Sequence, residues 1–166
     1  MTIDIQDHAK QWATSITTDT EATLGLFADE FVYDDRRDID HVVDTPIVKD
    51  DLRDRLTPFA NTDKDSGLGI HQFDVREAIA TTGSNGALAV AILWDWTGEH
   101  LANFRGVPTD GRKLTARGQT WHQFDADGNV TRESTYWNDA PVFVELGLPL
   151  IIPEYWVEGF DFASLG

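Results

Sequence analysis

His122 lies two residues before Phe124, and the turn signal Asp127-Gly128 follows shortly after. In a strand over 113–124, Gly118, Thr120, His122 and Phe124 share one face, because successive side chains alternate. Beyond the turn, Val130, Arg132, Ser134, Tyr136 and Asn138 share a face of the next strand. If Phe124 and Val130 bury inward, as apolar residues beside a turn do, His122, Tyr136 and Asn138 point inward with them. An imidazole, a phenol and an amide in one concavity suit proton transfer, since histidine titrates at about pH 6.5 and works as acid or base. The plainer reading of His122 is a buried, hydrogen-bonded ring beside structural polar groups. Asp95 interrupts the apolar segment 88–96 between Trp94 and Trp96. Buried there, its carboxyl would be shifted upward by desolvation, as a general acid or base needs. Facing water, it would pair with Arg105 or Arg117. Parity puts Asp95 opposite Trp94 and Trp96, so only one of these sets lines a pocket. Tyr33 and Asp35 alternate onto one side of a short strand, where the phenol can donate to a substrate oxygen. The aromatic stock exceeds what the core needs and implies an apolar pocket for a small organic molecule, with core packing or a dimer face as alternatives.

The elements that must position these groups change character along the chain. Ile5, His8, Ala9, Trp12 and Ile16 recur at helix spacing, and Thr18-Asp19-Thr20-Glu21 offers caps for a second helix over 22–27. Residues 31–33 read as a strand, 34–38 as a salt-bridged loop, and 48–59 as a helix with Val48, Leu52, Leu56 and Phe59 on one face. After a polar break at 61–69 the period becomes strand-like, with strands over 70–79, 87–97, 113–124 and 130–137. Helices first and a meander afterwards predict an α+β fold, a curved antiparallel sheet with the N-terminal helices on its concave face. The 166 residues make a single domain.

Composition narrows the function classes. Twenty-nine acidic against thirteen basic residues leave a net charge of −16, which repels nucleic acids and anionic membranes. There is no cysteine, so disulfides and thiolate chemistry are excluded. The five histidines form no HxH or HExxH pair, so no metal site is expected. No P-loop or dinucleotide fingerprint occurs, and Gly83-Ser84-Asn85 reads as a hairpin turn rather than a nucleophile elbow. No signal peptide or membrane span is evident, and a cytoplasmic protein is expected.

Three segments carry a family resemblance. Gly98-Glu99-His100 with Phe104-Arg105-Gly106-Val107-Pro108-Thr109-Asp110-Gly111-Arg112-Lys113 resembles the GxH…F.G(I/V)PPTGR segment of SnoaL-like polyketide cyclases. Residues 122–130 resemble their strand–DG–I hairpin, and Tyr136-Trp137-Asn138 through Leu146-Gly147 their closing (W/Y)xD…LLxQLG signature. The motifs span about 95–148; residues 149–166 have no counterpart and are expected to close the pocket or a dimer. The resemblance implies a cone-shaped barrel of the nuclear-transport-factor-2-like kind, usually a homodimer, with a deep pocket and no cofactor. It places the family histidine at His122 and the family aspartate at Asn138, with Asp139 next to it. An amide cannot take a proton, so Asp139 replaces the aspartate, or Asn138 only orients a substrate oxygen or water, or the role has moved to Asp95 or been lost.

The candidate catalytic set is therefore His122, Asn138, Asp139, Asp95 and Tyr33. The candidate substrate-binding set is Asp35, Trp94, Trp96, His100, Phe104, Thr120, Phe124 and Tyr136. The leading reading is a cofactor-independent lyase or isomerase of cyclase, isomerase or dehydratase type acting on a small apolar carbonyl compound. Alternatives are a non-catalytic binding protein, the structural small subunit of an oxygenase, and epoxide-hydrolase-like water addition. Trp94-Asp95-Trp96 stands where the last would show Arg-x-Asp. The excess of sheet aromatics predicts a homodimer, and a monomer by light scattering at micromolar concentration would refute it.

Overall fold

The computed structural model describes residues 3–35, 46–83, 86–149 and 159. Helix α1 (Ile5–Thr18) starts at Asp4, whose carboxylate accepts from the backbone N–H groups of Gln6 and Asp7. Its buried face is His8, Ala9, Trp12, Ala13, Ser15 and Ile16, the stripe that the spacing predicts. Asp19 caps α2 (Thr20–Leu24) in the same manner. Strand β1 (Phe27–Asp35) begins inside the segment expected to be helical, because Phe27 pairs with the sheet. β2 (Pro46–Val48) then leads into α3 (Lys49–Leu56) and a 3-10 turn over Thr57–Ala60. The turn tightens where Pro58 removes a backbone donor.

The long strands follow: β3 (Leu68–Thr82), β4 (Leu88–Leu101), β7 (Leu114–Phe124) and β8 (Val130–Asn138). Between β4 and β7 lies a small hairpin, β5 (Asn103–Phe104) and β6 (Val107–Pro108), and α4 (Ala140–Glu145) follows β8. The six-stranded sheet has the order β2-β1-β8-β7-β4-β3. β1 runs parallel to β8 and every other neighbouring pair is antiparallel, so the sheet is mixed and open. The α+β layout, helices first and curved sheet after, matches the expectation. The parallel β1–β8 pair differs from it, because the chain returns to the sheet beside its last strand. Among the described residues no helix is long and apolar enough to cross a membrane. The aromatic tail residues Tyr155, Trp156, Phe160 and Phe162 lie outside the described residues.

The inner face of the sheet is aromatic, and two glycines make it so. Trp94 on β4 is paired with Gly118 on β7, and a Cβ added to Gly118 would come within 2.3 Å of Cη2 of Trp94. Trp96 lies over Gly98 in the same way, at 2.5 Å from Cζ2. Each indole packs closely over a glycine, which has no Cβ to hold it off. Gly118→Ala is therefore expected to cost roughly 1–3 kcal/mol through forced displacement of Trp94 and of the Tyr136 carbonyl, whose oxygen would lie 2.6 Å from the new Cβ. Urea unfolding measures this directly, and a wild-type midpoint would show that the indole has room to move.

Candidate functional site

The site is built by a shift of one residue between β7 and β8. Phe124 pairs with Val130, but Gln123 pairs with Arg132, so β8 carries an extra residue at this end. This is a β-bulge, and because side chains alternate, everything beyond it changes face. His122 now pairs with Glu133, Thr120 with Thr135, and Gly118 with Trp137. These six positions look inward.

The inward groups are bonded in one continuous line. Nε2 of His122 lies 2.8 Å from Oε2 of Glu133, and Nδ1 of His122 lies 2.8 Å from Nε2 of His8 on α1. The other Glu133 oxygen accepts from the Thr135 hydroxyl at 3.0 Å. That uses Thr135's one hydrogen, so in the 2.9 Å contact with Thr120 the Thr120 hydroxyl donates. Thr120 in turn accepts from the indole N–H of Trp94 at 3.0 Å. The line His8–His122–Glu133–Thr135–Thr120–Trp94 thus crosses the core with every hydroxyl oriented. His122 is 0% exposed, Glu133 3% and His8 8%. Burial first, and the neighbouring His122 second, lower the pKa of His8 to about 3, so this ring is neutral at ordinary pH.

Among the described residues, two chambers lie on this face. The inner one, about 20 Å³, is lined by Glu133, Thr135, Tyr33 and the rings of Trp12, Phe73 and Trp94. It has room for about one water. The outer one, about 210 Å³, is lined by His71, Trp96, Leu101, Asn103, Phe104 and Arg105. Phe59 and Trp137 line both. His71 is locked there: its Nε2–H donates to the carbonyl of Leu68 at 3.0 Å, and its Nδ1 accepts from Trp96 at 3.2 Å. Burial lowers its pKa also. Arg105, at the rim, is held by Asp139 at 2.6 Å. Among the described residues no group of three His, Asp or Glu side chains is placed to hold a metal ion.

Solved structures of the same shape superpose over nearly the whole chain. A protein of Acidithiobacillus ferrooxidans assigned as a polyketide cyclase aligns at 18% identity and a TM-score of 0.66, covering 89% of this chain and 98% of its own. IdmH of Streptomyces antibioticus, also assigned as a polyketide cyclase, aligns at 18% identity and a TM-score of 0.64, covering 88% and 100%. AclR of Streptomyces galilaeus, assigned as a hydroxylase, aligns at 18% identity and 0.65, covering 98% and 91%. The chain has the SnoaL-like polyketide cyclase fold. No family model matches the sequence, and no curated protein matches it.

Within the SnoaL-like cone the expected residues divide into two groups. His122, Thr120, Phe124, Trp94, Trp96 and Tyr33 all lie on the inner face or against it. His122, however, lines neither chamber: both ring nitrogens are used, and Glu133 stands between it and the inner cavity. Phe124 packs edge-on against His8, with centroids 4.8 Å apart. Phe104 lines the outer chamber, and Tyr33 the inner one, with Arg55 over its ring at 5.7 Å.

For the other group, the structure corrects the inward direction expected of Tyr136 and Asn138 and places Asp95, Asp139 and His100 away from the inner chamber. Tyr136 is 43% exposed and Asn138 is exposed on the opposite face of the sheet, because the bulge reverses the parity that pointed both inward. Asp95 also faces outward, ion-paired with Arg117 at 3.1 Å and Arg76 at 3.7 Å. It is a solvated ion pair and not a desolvated acid. With Asn138 it borders an outer-face depression of about 480 Å³. Asp139 sits at the start of α4, holding Arg105 at the outer chamber's rim, away from Glu133. His100, at positive φ near the end of β4, is exposed and lines none of these cavities. The side chain of Asp35 lies outside the described residues.

Glu133 and His8 complete this buried line, and neither stands out in the sequence as a site candidate. His8 was visible only as part of a helical stripe. For Glu133 a signal existed: the unbulged register buries Arg132, whereas a shift of one residue exposes it and brings Trp137 inward.

A neutral buried histidine makes stability depend on pH in a definite direction. His8 has a folded-state value of about 3 against an ordinary 6.5, so between these the unfolded chain binds the extra proton. Stability is expected to fall as pH is lowered through this window, by an amount on the order of a few kcal/mol, with His71 acting in the same direction. His8→Gln should show a shallower fall than the wild type between pH 6.5 and 4 in urea titrations. Coincident slopes would mean that His8 is not held neutral.

Proposed function

We propose that this protein is a cofactor-independent acid–base enzyme that moves a proton beside the carbonyl of a small apolar molecule, in the manner of a cyclase, isomerase or dehydratase. Glu133 is the group that touches the reacting atoms. The observation that carries this reading is its position: it is a carboxylate on the wall of an aromatic cavity, backed by two imidazoles in series. A carboxylate in such a setting takes a proton from carbon and returns it without crossing bulk water. Tyr33 lines the same inner chamber and supplies a phenol to an oxygen on which charge develops. A carbonyl or a single methylene is the size of group the inner chamber accepts. The body of the substrate stays in the outer chamber against Trp96 and Phe104. The polyketide cyclase assignments of the structural neighbours support the same reaction class.

A second reading is favoured by one feature. Both oxygens of Glu133 are already hydrogen-bonded and the inner chamber holds only about one water, as in a structural network beneath a ligand-binding cup. One experiment separates the two. The protein is incubated in D2O with 2-tetralone, an aromatic ketone, and exchange of the protons next to the carbonyl is followed by NMR. Catalysed exchange is expected in the wild type, with Glu133→Gln slower by about 100-fold or more. Equal rates in both proteins would remove Glu133 from the mechanism, and binding without exchange in the wild type would establish the second reading.

A further inference from the structure

His122 is sealed in the core, yet one of its ring nitrogens is handed to a residue on the outer layer. His8 belongs to α1, retains 8% exposure where His122 has none, and uses only Nε2 in the contact between the rings. Its Nδ1 makes no hydrogen bond to a described residue, which leaves that edge of the ring as the one through which the residual 8% exposure can serve proton uptake. The rings meet edge to face, 79° apart, with Nε2 of one aimed at Nδ1 of the other. Phe124, Trp12 and Phe27 pack around the pair edge-on and supply no competing acceptor.

We propose that His8 is the outer end of a proton relay that connects Glu133 to solvent through His122. With Glu133 ionised, His122 carries its hydrogen on Nε2 and donates to Oε2, and His8 carries its hydrogen on Nε2 and donates to Nδ1 of His122. A proton arriving from water at Nδ1 of His8 lets the Nε2 hydrogen pass to Nδ1 of His122. The Nε2 hydrogen of His122 then passes to Oε2 of Glu133. Every hydrogen bond is kept with its direction reversed, and the carboxyl has gained one proton. The reverse sequence discharges a proton that Glu133 has taken from a substrate. His8 touches neither cavity, so it is a positioning and relay residue and not a catalytic one.

The catalytic use of this relay rests on Glu133 being the base, but its existence does not, so it is tested without substrate. In 15N-histidine-labelled protein, exchange of the His122 ring N–H with water is measured by NMR beside exchange of the β7 backbone amides. In His8→Gln the amide can still donate to Nδ1 of His122 but cannot take up one proton while releasing another. Ring exchange is expected to slow by about tenfold or more, with the β7 amides unchanged. Unchanged ring exchange would overturn the relay, since protons would then reach His122 from the cavity side. Ring and amide exchange changing together would overturn it too, since water would be entering by opening of the fold. His8→Phe fills the same aromatic niche without a ring nitrogen and serves as the second variant if His8→Gln does not fold. Slowed ring exchange in His8→Gln together with equal ketone exchange in the wild type and Glu133→Gln would leave the relay standing without the base, and unchanged ring exchange together with ketone exchange lost in Glu133→Gln would leave the base standing without the relay.

Discussion

A carboxylate at 3% exposure beneath a sheet has to be matched by hydrogen bonds, because taking an ion out of water costs several kcal/mol even after the protein relaxes. Much of the interior of this protein is arranged to do that for Glu133. One oxygen is matched by His122 and the other by Thr135, whose own oxygen is matched by Thr120, whose oxygen is matched by Trp94. The chain of donors runs in one direction and ends on an indole, which donates and never accepts. On the far side the second nitrogen of His122 requires a partner, and α1 places His8 there. The helix docks through an aromatic and small-residue stripe and through this polar bond together.

The register of β7 and β8 is the geometric expression of the same constraint. With the bulge, Glu133 lies opposite His122 and Trp137 opposite Gly118, where no Cβ stands in the way of a large ring. Without it, Arg132 would be buried opposite His122, and a guanidinium has no carboxylate on that face to meet it. The bulge therefore sorts charges as well as faces. Asp95, Arg117, Arg76 and Asn138 collect on the outer face of the sheet, and Glu133 lies on the inner face with its imidazoles.

The cavity follows from how rings pack over glycines. Trp94 and Trp96 pack close over Gly118 and Gly98, and the remaining space divides into a water-sized recess at Glu133 and a larger chamber at Phe104 and His71. The cup is walled by aromatic rings with a few polar groups in each part, Glu133, Thr135 and Tyr33 in the recess and His71, Asn103 and Arg105 in the larger chamber, a distribution suited to orienting a small organic molecule.

The stripe Ile5, His8, Ala9, Trp12 and Ile16, the caps at Asp4 and Asp19, and the meander after residue 68 were all readable by period and turn chemistry. So was the inward direction of His122 beside Phe124. These are local properties, decided by how neighbouring residues bond and alternate along one segment. The exposure of Tyr136 and Asn138, the burial of Glu133, and the meeting of His8 with His122 across 114 positions were not readable in this way. A single extra residue between Val130 and Arg132 inverts a whole strand, and local propensity hardly registers it. Only when α1, β7 and β8 close on one another does the cost of a mismatched buried charge choose between the two registers. The types of residue available to a site were thus set by the linear chain, and which of them face the cavity was settled by packing.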